Sequence, residues 1–199
     1  VIENFEKLTP EKRRVVLNAA FSCFGKTGYK KTSMSDIAGQ AGVSKASLFH
    51  YFHTKRDLYM YLYRYSCNEI LAEVTAGPED FFACIRLGSQ IKMRVMEKHP
   101  GMYDFLLSMV TEADEGLLKE LTEKSEDEIN RGVALIFINV DWNRFKPGID
   151  KRTAINLVRW ITDGYLRANA AQKSREKMIA EIDGYMKILK SAVYKEEYR

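Results

Sequence analysis

Residues 33–57 read SMSDIAGQAGVSKASLFHYFHTKRD. Ser33-Met-Ser-Asp36 places a hydroxyl and a carboxylate three residues apart, the spacing at which each side chain bonds the other's backbone N–H at a helix start. The short helix that follows turns Ile37, Ala38 and Ala41 inward and stops at Gly42. Ser44 caps a second short helix that runs to about Tyr51. Two short helices joined by a tight turn containing glycine form a helix-turn-helix. Thr54-Lys-Arg-Asp57 repeats the start signal and opens a long helix from Leu58 to about Val74, closed by Gly77-Pro78.

The helical period sorts the second short helix into two faces. Lys45 and Phe49 lie one turn apart, as do Ala46 and His50, and the four share one side. Leu48, Tyr51 and Phe52 fall on the other. The first face suits DNA: Ala46 is small enough for close approach to base edges, and Lys45 can reach guanine or phosphate. His50 and the Tyr51 hydroxyl can donate to phosphate oxygens. The free N–H groups at the helix start can hold a further phosphate.

Charge agrees with this reading. Residues 1–56 hold 10 Lys and Arg against 4 Asp and Glu, a net of +6, within a chain whose total is +4. The remaining residues therefore sum to −2. A basic segment on a mildly acidic body points to a polyanion-binding module joined to something else.

Outside this segment the pattern is helical throughout. Thr9 and Pro10 begin a helix whose apolar positions, Val15, Val16, Ala19, Ala20, Cys23 and Phe24, keep the 3.6 period until Gly28. Further helices are expected near 79–98, 101–112, 115–138, 151–171 and 175–195. Residues 139–150 lack a period, and nothing reads as a strand. The expected fold is all-α, with about nine helices. The expected division is 1–56 as a helix-turn-helix DNA-binding domain of three helices and 57–199 as a helical effector-binding and dimerisation domain. The helix starting near Leu58 joins them.

Several function classes drop out. No run is long and apolar enough for a membrane span, and the first residues lack the pattern of a secretory leader. Cys23, Cys67 and Cys84 form no C-x-x-C pair and fit a reduced, cytoplasmic setting as small buried hydrophobes. Gly25-Lys26-Thr27 resembles the end of a P-loop, but Ala20 stands where the first glycine belongs and a helix stands where a strand should precede. His50 and His53 are two donors where a zinc site takes three or four. Neither a G-x-S-x-G nor an H-E-x-x-H motif occurs, so neither an enzyme nor a cofactor or metal is expected.

The run AAFSCFGKTGYKKTSMSDIAGQAGVSKASLFHYFHTKRDL resembles the N-terminal DNA-binding domain of TetR/AcrR-type transcriptional regulators. Matching positions include Gly28-Tyr29, Thr32-Ser33, Ile37-Ala38, Ala41 to Lys45, Leu48 to Phe52, Lys55 and Asp57-Leu58. The resemblance implies phosphate contacts from Thr32, Ser33, His50, Tyr51 and Lys55, and recognition-helix contacts from Ser44, Lys45, Ala46 and Phe49. Ala46 stands where glycine is common in the family. Phe49 stands where tyrosine is frequent, which leaves it an apolar reader without a hydroxyl.

The rest of the chain is rich in aromatic residues and methionine, side chains that line adaptable apolar sites. The resemblance implies a small-molecule cavity there, for which Tyr63, Phe82, Met93, Met96, Tyr103, Phe105, Met109, Trp160 and Tyr165 are candidates. It also implies a homodimer built from the last two helices. Val158, Ile161, Thr162, Gly164 and Tyr165 are expected on one, and Ile182, Tyr185, Met186 and Leu189 on the other. Together these imply a repressor that binds double-stranded operator DNA as a dimer and is released by an apolar or aromatic effector. The alternative is an architectural or division-associated DNA-binding protein whose second domain binds a protein partner.

Overall fold

The computed structural model describes residues 2–111, 115–170 and 172–199. Among these residues the chain forms eleven α-helices and two 3-10 turns, with no strand beyond a single antiparallel bridge between Phe145 and Tyr194. None of the helices is long and apolar enough to cross a membrane. The helices are α1 (Ile2–Glu6), α2 (Pro10–Lys31), α3 (Met34–Ala41), α4 (Lys45–Tyr51), α5 (Lys55–Ala72), α6 (Phe81–Lys98), α7 (Met102–Thr111), α8 (Glu115–Lys124), α9 (Glu126–Ile136), α10 (Lys151–Asn169) and α11 (Arg175–Val193).

Two differences from the sequence expectation have physical causes. The helix expected over 115–138 is two, broken at Ser125, which is buried. Serine competes for backbone groups inside a helix, and Glu126, Asp127 and Glu128 make a favourable acidic first turn for a new one. Helix α1 was not expected, because five residues are too few to hold a helix without tertiary contacts. Phe5 supplies them: it is fully buried, with ring centroids 4.9 Å from Phe52, 5.5 Å from Tyr61 and 5.8 Å from Tyr51. The expected ends at residues 112 and 171 lie outside the described residues.

The chain packs as two compact units, Val1–Val74 with Gln90–Gly132, and Thr75–Ser89 with Val133–Arg199. In the first, one hydrophobic cluster runs from Val16, Leu17, Phe21 and Phe24 of α2 through Ile37 and Ala41 of α3, Leu48 and Phe52 at α4, and Leu58 and Leu62 of α5. It continues without a break into Val95, Met102, Phe105, Met109, Leu117 and Leu121. The helix-turn-helix therefore shares its core with α7 and α8, and packing sets no boundary at residue 56.

The second unit is built on an aromatic cluster. Phe81 lies 5.0 Å from Phe137 and 5.5 Å from Phe145, and Phe145 meets Tyr194 edge-on at 4.8 Å. The buried Tyr194 hydroxyl accepts the Phe81 N–H at 3.1 Å, which satisfies a polar group inside that cluster. Lys146 N–H donates to Val193 at 2.9 Å and Lys195 N–H to Arg144 at 2.9 Å, so the non-periodic segment 139–150 is fastened to the end of α11.

Candidate nucleic-acid interface

Helices α2 to α5 each start where a local side chain can satisfy a first-turn N–H group. Ser33 caps α3, its hydroxyl accepting the Asp36 N–H at 3.2 Å while Asp36 accepts the Ser33 N–H at 3.1 Å. The Ser33 hydroxyl also donates to an Asp36 carboxylate oxygen at 2.7 Å, and this bond together with that from the Ser33 N–H holds the Asp36 carboxyl below its ordinary pKa. Helix α3 ends at Gly42, at φ 66°, a left-handed conformation that glycine adopts without a Cβ penalty. That one residue turns the chain so that Val43 N–H can bond back to Ala38 at 3.0 Å. Ser44 then caps α4 by accepting the Ser47 N–H at 3.0 Å, and Thr54 with Asp57 forms a second reciprocal cap on α5.

Leu48 and Phe52 are fully buried and hold α4 down, while Ser44, Lys45, Ala46, Phe49 and His50 are exposed. The face derived from the helical period is thus the outer face of α4. Phe49 is 37% exposed, with the Lys45 ammonium 5.9 Å from its centroid. Tyr51 is half-buried against Phe5 and His50. Ser33 is exposed at the start of α3.

Thr32 and Lys55, both implied as phosphate contacts, make hydrogen bonds within the chain. Thr32 is 3% exposed, its hydroxyl 2.7 Å from the Gly28 carbonyl, 3.1 Å from that of Cys23 and 2.8 Å from the Thr27 hydroxyl. It closes the kinked end of α2, where Gly28 stands at φ 75°, and presents no side-chain donor to the surface. The Lys55 ammonium donates to the carbonyls of Tyr29 at 2.7 Å, Thr32 at 3.0 Å and Lys30 at 3.4 Å. A cation suits the carbonyl end of a helix, and these bonds use the three donors of an ammonium.

The nine candidate cavity residues are divided between the two units. Tyr63 and Met96 pack against the first unit's cluster, of which Phe105 and Met109 are buried members. Met93 and Tyr103 in the same unit are half-buried. Burial and a hydrogen bond with Cys67 raise the Tyr63 hydroxyl's pKa above the ordinary tyrosine range. Phe82, Trp160 and Tyr165 belong to the second unit, where Phe82 is core and Trp160 is 62% exposed. A groove of about 450 Å³ in that unit runs between Trp142, Phe145, Ile149 and Lys195, and none of the nine lines it.

The residues expected at a dimer face also divide. Val158 and Met186 are buried within the chain, so they hold α10 and α11 in place and offer no surface to a second copy. Thr162 turns its hydroxyl back to the Val158 carbonyl at 2.8 Å. Gly164 and Tyr185 are exposed; Ile161, Tyr165, Ile182 and Leu189 are half-buried. Three residues that the spacing did not single out for this face, Trp160, Ile179 and Ile188, are exposed large apolar groups on the same two helices. An apolar residue reads the same in sequence whichever side of its helix it occupies. Among the described residues no cluster of His, Cys, Asp or Glu has the makings of a metal site.

Comparison with known proteins accords with this geometry. Residues 16–62 match the profile of bacterial regulatory proteins of the tetR family. The HTH-type transcriptional regulator RutR of Escherichia coli strain K12 is 30% identical over 156 residues, spanning 77% of this chain and 73% of RutR. Among solved structures, SmeT, the repressor of the Stenotrophomonas maltophilia multidrug efflux pump SmeDEF, superposes with a TM-score of 0.68 at 14% identity over 98% of this chain and 95% of SmeT. The fatty acid degradation regulator FadR of Bacillus halodurans does so at 0.65 and 15% identity over 88% of this chain and 96% of FadR. With its capped helix-turn-helix, its exposed reading face and this relationship to RutR, the chain belongs to the TetR family of transcriptional regulators.

Proposed function

We propose that this protein is a cytoplasmic, homodimeric repressor that binds a pseudo-palindromic operator and releases it when a small apolar or aromatic effector binds. Residues 1–56 form the reading head and the remainder the effector and dimerisation part. The observation that carries the reading is the outer face of α4, where Lys45, Ala46, Phe49 and His50 stand exposed over buried Leu48 and Phe52. Ser33, Ser44 and Tyr51 flank it as backbone contacts.

On this reading the effector binds among Tyr63, Met93, Met96 and Tyr103 of the first unit, whose half-buried side chains support it. That unit's cluster joins the head to α7 and α8, so a ligand there would act on packing that the reading helices share. The effector shifts the head only by preferring the arrangement that does not fit the operator. A fatty acid degradation regulator and a repressor of a multidrug efflux pump share the fold, which supports testing acyl and polyaromatic compounds first. Dimerisation through the exposed side of α10 and α11 would set the two heads one helical turn of DNA apart, about 34–36 Å, or a multiple of it.

The test begins with duplexes selected from a random pool by the full chain, bound across a salt series. Six to ten phosphate contacts cost about 10³–10⁵ in affinity between 50 and 200 mM salt, and a flat response overturns the reading. Lys45→Ala and Tyr51→Ala must weaken binding. Acyl and polyaromatic compounds are then titrated onto the selected complex. Release by one class supports an effector-controlled repressor, whereas release only by a protein fraction supports a partner-binding architectural protein.

A further inference from the structure

Helix α1 lies against the reading helix. The fully buried Phe5 anchors it between Tyr51, Phe52 and Tyr61, which fixes the neighbouring residue as well. That neighbour, Asn4, brings its side-chain Nδ2 to 3.2 Å from Nε2 of His50, across 46 residues of chain. A neutral imidazole carries one proton on two nitrogens, and the partner of one nitrogen decides the role of the other. An amide N–H aimed at Nε2 needs a lone pair there, so the proton goes to Nδ1. Among the described residues His50 has no other side-chain hydrogen bond, and it is exposed. Nδ1–H is then its available donor.

We propose that Asn4 is a positioning residue for DNA binding: by occupying Nε2 of His50 it holds the ring in one orientation and leaves Nδ1–H to donate to a backbone phosphate. This rests on the assignment of His50 to the DNA-reading face. It adds the segment before Thr9 to the interface, through a residue that itself need not touch DNA. The chemistry is local, because Asn4 supplies a fixed amide and Phe5 supplies the fixing. Pre-orienting a donor removes an ordering cost that binding would otherwise carry.

Two measurements test it. In the free native chain, ¹⁵N shifts of the His50 ring should show a protonated Nδ1 and a bare Nε2, and Asn4→Ala should shift the population toward the Nε2–H form. On a duplex selected by the native chain, Asn4→Ala should weaken binding by roughly 2- to 10-fold, the range for one hydrogen bond. In a His50→Ala background the same substitution should change nothing, an outcome that a merely structural role for α1 would not produce. A proton on Nε2 in the native chain overturns the inference. Native-like affinity of Asn4→Ala, or an equal loss with His50 already removed, does so too. A native chain that selects no duplex overturns the DNA-reading assignment as well, and that failure is distinguished by occurring before any substitution.

Discussion

The ammonium of Lys55 lies 2.7 Å from the Tyr29 carbonyl oxygen and 4.5 Å from the centroid of the Tyr29 ring, so the first residue of α5 is pinned to the end of α2. With Thr32 buried beside it, this contact fixes the junction from which α3 departs. Lys55→Met removes a charged donor from three carbonyls and should destabilise the protein by about 1–2 kcal/mol, at the lower end for charged hydrogen bonds because the side chain is partly exposed. DNA affinity should fall while the slope of log Kd against log salt stays the same, since the ammonium is already spent on carbonyls. A slope smaller by about 0.9 would instead mark Lys55 as a phosphate contact.

The α2 and α7 helices approach closely at Gly101. It stands at φ 85°, and a Cβ there would lie 2.7 Å from the Ser22 backbone nitrogen and 2.9 Å from its Cα. Gly101→Ala combines backbone strain of about 1–3 kcal/mol with a forced separation of the two helices. Urea unfolding should show a lower midpoint, corresponding to a loss of at least that much unfolding free energy. An unchanged midpoint would mean that the turn before α7 relaxes freely.

His99 ends α6 in a confined setting. It is 7% exposed, with Nε2 3.2 Å from the Tyr65 hydroxyl and 3.8 Å from a Glu69 carboxylate oxygen, and its Nδ1 is buried without a partner. Burial lowers its pKa, Glu69 opposes this, and Lys98 and Arg14 add to the lowering. A histidine whose folded pKa lies below its unfolded value of about 6.5 binds fewer protons when folded, so its effect is to lose stability as pH falls from there through the folded pKa. The melting temperature should therefore drop as pH falls below about 6.5, and His99→Gln should flatten that portion of the curve. An identical slope in the variant would exclude His99 as its source.

Side chains on opposite faces of α10 and α11 should separate association from folding. Trp160 is 62% exposed and Ile188 68%, whereas Met186 is 7%. Trp160→Ala should weaken self-association by about 2 kcal/mol, roughly 30-fold in the dimer dissociation constant, with little change in monomer stability. Met186→Ala should instead cost about 2–5 kcal/mol of folding stability. Sedimentation across a dilution series, paired with thermal melts, distinguishes the two.

Much of the reading head was legible because its signals are local. Ser33 with Asp36, Thr54 with Asp57, Ser44 and Gly42 each act within four residues, and all are found in the roles their spacing predicts. The outer face of α4 followed from the helical period alone. Composition and local spacing settled that the protein is all-α, where α2, α3 and α4 start, and which side of α4 is outward.

Tertiary structure decided what depends on residues far apart in the chain. Helix α1 exists because Phe5 meets Tyr61, and Lys55 is tied to carbonyls 23 to 26 residues away. The core of the head runs on into α7 and α8, although the charge pattern changes near residue 56. Trp160 and Val158 are both apolar and two positions apart, yet one is exposed and the other buried. The sequence period separates the faces of a helix; which face is buried depends on the helix packed against it.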